Sequence, residues 1–273
     1  RLAAHCEILV NDAFGALHRA HASVSAVAKL MPDRAAGLLV EKELKFLSSL
    51  VSGTDKPYIA VLGGAKIAGK IDVIERLLGV VDGLIIGGAM ANTFLAARDQ
   101  PMGASKIESD KLQLARHLIG RCEDLSIPLW LPIDHIAVTE IGPAPQTEVV
   151  AAGLLAHDQM AVDIGPKTIE LFASVLDGTS PDCPGMPKRV FWNGPMGIFE
   201  IDALATGTMA VARAISRCPA TSVIGGGDSA AAVRKAGVRS MVSHVSTGGG
   251  ASLELLAGNP LPGLAALRGG RRQ

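Results

Sequence analysis

The sequence predicts a doubly wound, three-layer α/β/α fold, a Rossmann-like domain whose central parallel sheet carries helices on both faces. Four apolar runs of strand length end in glycines and pass into Ala- and Leu-rich helices: Tyr58 to Gly64, Val81 to Gly88, Thr221 to Gly227 and Ser243 to Gly250. Around them, strand patterns alternate with amphipathic helix patterns, the rhythm of βα units. The chain is 48% hydrophobic but only 3% aromatic, with 31 glycines. Small apolar residues of this kind suit strands buried on both faces beneath close-packed helices.

Taken in order, residues 1–35 enter mid-pattern, with Ile8 to Val10 reading as the end of a strand, and they are expected to form a remnant of a separate body. Residues 36–50 read as a connecting helix with Leu38, Leu39, Leu44 and Leu47 on its apolar face. The α/β domain is expected over residues 51–258. Within it Tyr58 to Leu62 is a strand, and the Gly63-Gly64 turn leads into a helix that carries Lys66 and Lys70 one turn apart. A helix over 111–123 precedes a strand read over 127–138. Glu140 to Ala156, Pro- and Ala-rich, reads as a loop excursion. Met160 to Leu176 is a short strand followed by a helix opened by Gly165-Pro166, and Arg189 to Glu200 a strand closed by a Gly-Pro turn. About six parallel strands are expected, with Leu62, Ile86, Trp192, Ile224 and Val245 at one edge. Residues 259–273 form a tail expected to return to residues 1–35, with its terminal RGGRRQ frayed.

What the turns can bind follows from backbone electrostatics. A glycine turn lets N–H groups approach a ligand closely, and each helix start adds partial positive charge. Several such starts on the carboxyl edge of one sheet form an anion-binding rim, to which Lys66 and Lys70 add two ammonium groups. The stretch nearly fits a Walker A loop, with Gly64, Gly69 and Lys70 in place, but Ile71 stands where a metal-binding hydroxyl is required. Gly225 to Ala230 fits a G-x-G-x-x-A dinucleotide pattern, yet no acid ends the next strand, Ser243 to Val245, so this is discounted. His18 and His21 lie three residues apart without a third ligand and read as structural.

Charge excludes some classes. Lys+Arg and Asp+Glu balance at 26 each, which points to neither nucleic acid nor an anionic membrane. No apolar run reaches the roughly 18 residues of a membrane span. Cys6, Cys122, Cys183 and Cys218 are widely spaced, without C-x-x-C, and read as free thiols of a reducing compartment, the cytoplasm.

Set in order, VNDAFG (10–15), HRAHAS (18–23), LGGAK (62–66), IGGAMANTFL (86–95), LPID (131–134), DIGPKTIELF (163–172), WNGPMGIFE (192–200), IGGGDSAAA (224–232) and SHVSTGGGASLELL (243–256) resemble the phosphoglycerate kinases over nearly the whole chain. The resemblance implies a monomeric two-domain enzyme that moves a phosphoryl group reversibly between 1,3-bisphosphoglycerate and Mg-ADP, giving 3-phosphoglycerate and ATP. It also implies that most of the family's substrate-holding domain has no counterpart upstream of Arg1, so that the chain by itself is expected to be inactive. The alternative is a nucleotide-binding module without transferase activity; a third reading, a Rossmann dehydrogenase, would bind NAD.

The resemblance assigns roles residue by residue. Lys66 would stabilise the transferring group with the backbone of Gly227 and Gly250, and Lys70 would hold the distal phosphate of ADP or ATP. Asp228 would bind the nucleotide's Mg²⁺ and Glu200 the ribose. Gly64, Ala65, Asn193, Pro195, Gly226 and Ser229 would shape the nucleotide cleft, and Gly87, Gly88 and Gly165 would line its adenine side. Arg19 would contact phosphoglycerate, and Ser243 to Thr247 match a family hinge. As a bare N-terminal residue of a helix, Asp228 would instead be read as an N-cap. Two departures are visible: Gly69 replaces the acidic residue usual between the lysines, and the loop over 177–188 is longer than usual.

Overall fold

The computed structural model describes residues 2–52 and 54–268; most of the tail RGGRRQ lies outside them. The chain begins with β1 (Ile8–Asn11), a short helix α1 (Val27–Leu30) and β2 (Asp33–Ala36), the two strands pairing in parallel. Next come α2 (Leu38–Ser52), β3 (Tyr58–Leu62), α3 (Ile71–Leu78), β4 (Gly83–Ile86), α4 (Gly88–Ala97) and α5 (Leu112–Asp124). They are followed by β5 (Leu129–Trp130), β6 (Asp134–Val138), β7 (Glu148–Ala151), β8 (Met160–Ile164) and α6 (Pro166–Leu176). The chain then runs through β9 (Arg189–Asn193), α7 (Thr206–Arg217), β10 (Thr221–Gly225), α8 (Gly227–Lys235), β11 (His244–Val245), α9 (Gly250–Leu256) and α10 (Pro262–Leu267).

Among the described residues, six strands form the parallel sheet, in the order β11-β10-β9-β3-β4-β5. Its strands alternate sides as a pleat requires. Tyr58, Ala60 and Leu62 face a core with α3, α4 and α5, while Ile59 and Val61 face a second core with α6, α7 and α8. The fold is therefore a mixed α/β sandwich with helices on both sides of a central parallel sheet. Leu62 sits opposite Ile86, and Ile224 opposite both Trp192 and Val245, so these strand ends share one edge as expected.

Three local expectations are corrected. The stretch 127–138 is two strands in two sheets, because Pro132 cannot donate a ladder hydrogen bond and stops β5. The supposed loop over 140–156 contains β7, whose pattern was hidden because only Val150 of its four residues is buried. Together β7, β6 and β8 make a three-stranded antiparallel sheet, so Met160–Ile164 does not join the parallel one. Connecting helix α2 buries Val40, Glu43, Leu47 and Leu50, whereas Leu38 is 81% exposed. No described helix is long and apolar enough to cross a membrane.

The C-terminal segment lies against the first 35 residues. Gly263 donates its N–H to the carbonyl of Leu17 at 2.9 Å, Arg34 reaches the carbonyl of Arg268 at 3.1 Å, and Ala266 and Leu267 pack on Ala28. A Cβ on Gly263 would come within 2.7 Å of both Leu17 Cδ2 and Val24 Cγ1. Gly263→Val should therefore destabilise the protein by about 1–3 kcal/mol through overpacking, read as a lower melting temperature; an unchanged Tm would mean that α10 does not dock here.

Candidate active site at the switch point of the sheet

In the sheet order, β3 and β9 are neighbours: from β3 the chain proceeds outward to β4 and β5, and from β9 the other way to β10 and β11. Ligands of open α/β sheets bind at such a reversal, beyond the carboxyl ends of the strands. Here the two turns cross in contact. Gly63 N–H donates to Asn193 O at 2.9 Å and Gly64 N–H to Pro195 O at 2.7 Å. A Cβ on Gly63 would lie 2.3 Å from Pro195 O, and one on Gly194 (φ 99°) 2.3 Å from Gly63 O. Only glycine permits this crossing.

Beyond it lies a cavity of about 320 Å³ between the carboxyl edge and the antiparallel sheet. Gly64, Ala65, Gly88, Pro195, Glu200 and Asp228 line it from four separate turns, and Met160, Val162, Asp163, Ile164 and His135 line it from β8 and β6. Both Asp228 and Glu200 are exposed. Asp228 lies in the first turn of α8, whose N-cap is Gly226 (φ 87°), and its carboxylate makes no capping bond. The N-cap alternative for Asp228 is thereby corrected: Gly226 is the N-cap and Asp228 stands two residues further on.

The paired lysines are not one turn apart on a helix. Helix α3 begins at Ile71, Lys70 is its N-cap, and Lys66 is exposed in the preceding loop. Ile67 is buried and its N–H is taken by the Glu108 carboxylate, while Lys70 N–H bonds Ile67 O at 2.7 Å. That turn, with Gly69 in it, delays the helix. The Lys70 ammonium tucks under the glycine crossing, donating to the carbonyls of Gly63 and of Asn193 (3.2 Å). Burial pulls its pKa down to about 8, against the pull of the Asp228 charge. A side chain at Gly69 would meet nothing within 4 Å, so the missing acid there leaves no gap.

Other expected residues act as supports. Ser229 is buried and accepts the Gly194 N–H at 2.6 Å, and Asn193 is buried beside Gly226. Gly87 makes room for Met196 and Gly165 for the Asp134 carboxyl, so neither borders open space. Gly227 is exposed at the start of α8. At the start of α9, Gly250 packs beside His18. Neither Lys66 nor Arg19, both exposed, lines the cavity.

The phosphoglycerate kinase family model matches residues 1–259. The protein is 52% identical to a phosphoglycerate kinase of Solibacter usitatus and 48% identical to one of Bdellovibrio bacteriovorus, over 98% of this chain and 65% of each relative. The chain belongs to the phosphoglycerate kinase family. Its backbone superposes on the family member from Coxiella burnetii with a TM-score of 0.89 at 37% identity, covering 97% of this chain and 66% of that one. The chain therefore spans about two thirds of the length of these kinases.

Sequence reading missed several groups at the site. Asp163 accepts N–H groups of Ile164 (2.9 Å) and Gly207 (2.7 Å), tying β8 to the start of α7, and burial pushes it up to about 7 against these donors. Its place in a Gly-Pro-opened βα unit was a signal; for His135 there was none. Glu43 was hidden by its apparently polar helix position. Fully buried, its carboxylate binds His244 Nε2 at 2.9 Å and receives Thr247 N–H at 2.6 Å and Oγ at 2.8 Å. His244 in turn stacks on Phe46, with centroids 4.5 Å apart. Burial raises the Glu43 pKa, but the bonds from His244, Thr247 and Ser246 outweigh it and hold the carboxyl below its ordinary range. Its contribution to stability is thus present above pH ~4.3 and lost as pH falls through the folded pKa. Glu43→Ala should cost about 1–3 kcal/mol for each buried donor left without an acceptor and should flatten this acid dependence, as urea melts between pH 3 and 7 would reveal. A loss below about 0.5 kcal/mol, the range of neutral surface substitutions, would contradict it.

Proposed function

We propose that this chain is the nucleotide-binding part of a phosphoglycerate kinase and takes part in reversible phosphoryl transfer between 1,3-bisphosphoglycerate and Mg-ADP. One observation carries the reading: a cavity at the switch point gathers Gly64, Gly88, Pro195, Glu200 and Asp228 from four glycine-opened turns. In the ATP-forming direction, a terminal, non-bridging oxygen of the ADP β-phosphate attacks the phosphorus of the acyl phosphate, the bond from that phosphorus to the acyl oxygen breaks, and 3-phosphoglycerate leaves as a carboxylate. Such transfer needs positioning and charge neutralisation more than covalent chemistry.

In this reading Lys66 and the N–H groups of Gly227 and Gly250 neutralise the phosphoryl in flight, Lys70 holds the distal phosphate, and Glu200 accepts ribose hydroxyls. The exposed Asp228 carboxylate would hold Mg²⁺, a cation usually bound by one or two carboxylates together with substrate phosphates, and the ion would offset phosphate charge. Arg19, which is outside the cavity lining, is assigned to phosphoglycerate as a group that domain closure would bring up.

Asp228→Ala should weaken Mg-ADP binding much more than metal-free ADP binding, while Lys70→Ala should weaken both by about 1.5–3 kcal/mol, the range of a charge-assisted hydrogen bond. Equal losses in calorimetry with and without magnesium would mean that these roles are wrongly divided. With its pKa lowered to about 8, Lys70 is charged below that pH and neutral above it, so ADP affinity should fall as pH rises through about 8. Lys70→Met should remove that step, and a step that persists would assign it to another group.

The 273-residue polypeptide should bind Mg-ADP yet not turn over. Within residues 1–273 only Arg19 is assigned to phosphoglycerate, and weak positioning of that substrate forfeits roughly 7–11 kcal/mol of barrier reduction. A coupled assay with ATP and 3-phosphoglycerate showing turnover at about 1–100 s⁻¹, the ordinary kinase range, would refute this.

A further inference from the structure

The apolar end of the cavity holds one polar group that nothing in the protein satisfies. His135, on β6, lines the cavity and is 2% exposed. Its Nε2 is enclosed and has no hydrogen-bond partner, and none of the described residues bonds the ring. Its partners across the sheet, Val150 and Ile164, are apolar, and Asp163, which pairs with Ile136 on the other face, spends both carboxylate oxygens on backbone N–H groups. Burial lowers the His135 pKa to about 4, against the pull of Asp134, so the ring is neutral near pH 7 and carries one donor and one acceptor. Leaving a buried polar group unpaired is costly, and a purely apolar contact there would be better served by Phe or Leu.

The cavity has two chemically different ends. The carboxyl edge supplies the groups suited to phosphate (Gly64, the Lys70 ammonium beneath it, Asp228), whereas β6, β8 and Ile141 supply flat apolar surface. A nucleotide with its phosphates on the first end lays its base on the second, where His135 is. We propose that His135 is a base-recognising residue of this site, one nitrogen of its imidazole bonding either N1 or the 6-amino group of adenine. No described residue bonds the ring, and rotation about its terminal sp³–sp² torsion is soft, so a turn of the ring toward the cavity brings the enclosed Nε2 to the base. The inference rests on the nucleotide reading above and adds to it the group that distinguishes a polar purine edge from an apolar one of the same shape.

The test compares ADP with the diphosphate of 1-deazapurine riboside, whose base keeps its shape but lacks both N1 and the 6-amino group. Calorimetry on the wild-type chain should show ADP bound about five- to tenfold more tightly, the worth of one or two neutral hydrogen bonds. In His135→Phe that preference should fall below twofold through loss of ADP affinity, and His135→Gln, which keeps a donor and an acceptor, should retain part of it. Binding of magnesium pyrophosphate, which has no base, should be the same in all three. Equal affinities of the wild type for the two diphosphates would overturn the proposal without any variant. A preference that survives in His135→Phe would also overturn it and leave His135 with a buried water as its partner. Wild-type protein that binds both diphosphates equally sinks the base assignment alone; failure to bind ADP sinks the nucleotide reading with it.

Discussion

The contact on which the site depends is the crossing of two backbone turns, Gly63-Gly64 after β3 and Gly194-Pro195 after β9. Their carbonyls and N–H groups come close enough that a single methyl on Gly63, Gly88 or Gly194 would overlap main-chain atoms. Main-chain atoms cannot move aside as a side-chain tip can, so the crossing has no tolerance. It also builds the polar floor on which Lys70 rests: the same carbonyl of Gly63 that meets the opposing turn accepts the Lys70 ammonium. The positive charge is thereby held next to Asp228 and close to the cavity, at the expense of a lowered pKa.

A second constraint joins this edge to the rest of the molecule. Glu43 is a charged residue in the middle of the buried stripe of α2, and its carboxylate is the acceptor for His244 and Thr247. The turn that opens α9 is thus held by a helix lying outside the alternating α/β units. The bond geometry is directional, so a rotation of α2 would be felt directly at Thr247 to Gly250. The glycines of that turn also pack on Phe14 and His18, which places the first residues of the chain against the same turn. A carboxylate buried with its hydrogen bonds complete specifies one arrangement more sharply than apolar packing of equal area.

On the opposite wall, Asp134 and Asp163 show how small sheets are pinned beside large ones. Asp134 accepts the N–H groups of Lys167 and Thr168 and the hydroxyl of Thr168, and so caps α6 from another strand. Asp163 does the same for α7 through Gly207. The three-stranded sheet is therefore bound to the helices of the main domain by carboxylates rather than by strand pairing, and the cavity is the space left between.

How much of this was legible in the sequence depends on how local the cause is. Strand-length apolar runs, Gly-Gly turns and helix periodicity are set by neighbours within a few residues, so the α/β class, the common edge of the strand ends and the family motifs could be read directly. The break at Pro132 was legible in principle, since a missing N–H stops a ladder wherever it occurs. The strand β7 was not, because one buried residue in four leaves no period. Helical spacing suggested that Lys66 and Lys70 share a face, but a tertiary bond from Glu108 to Ile67 bends the intervening residues into a turn. The sequence alone determined the α/β class, most of its strands and helices, and which turns can approach an anion. Only the tertiary structure decided the strand order that puts β3 beside β9, the burial of Glu43 against His244, and the unsatisfied His135 in the cavity wall. Those depend on contacts between residues far apart in the chain, whose energies appear only once the backbone has brought them together.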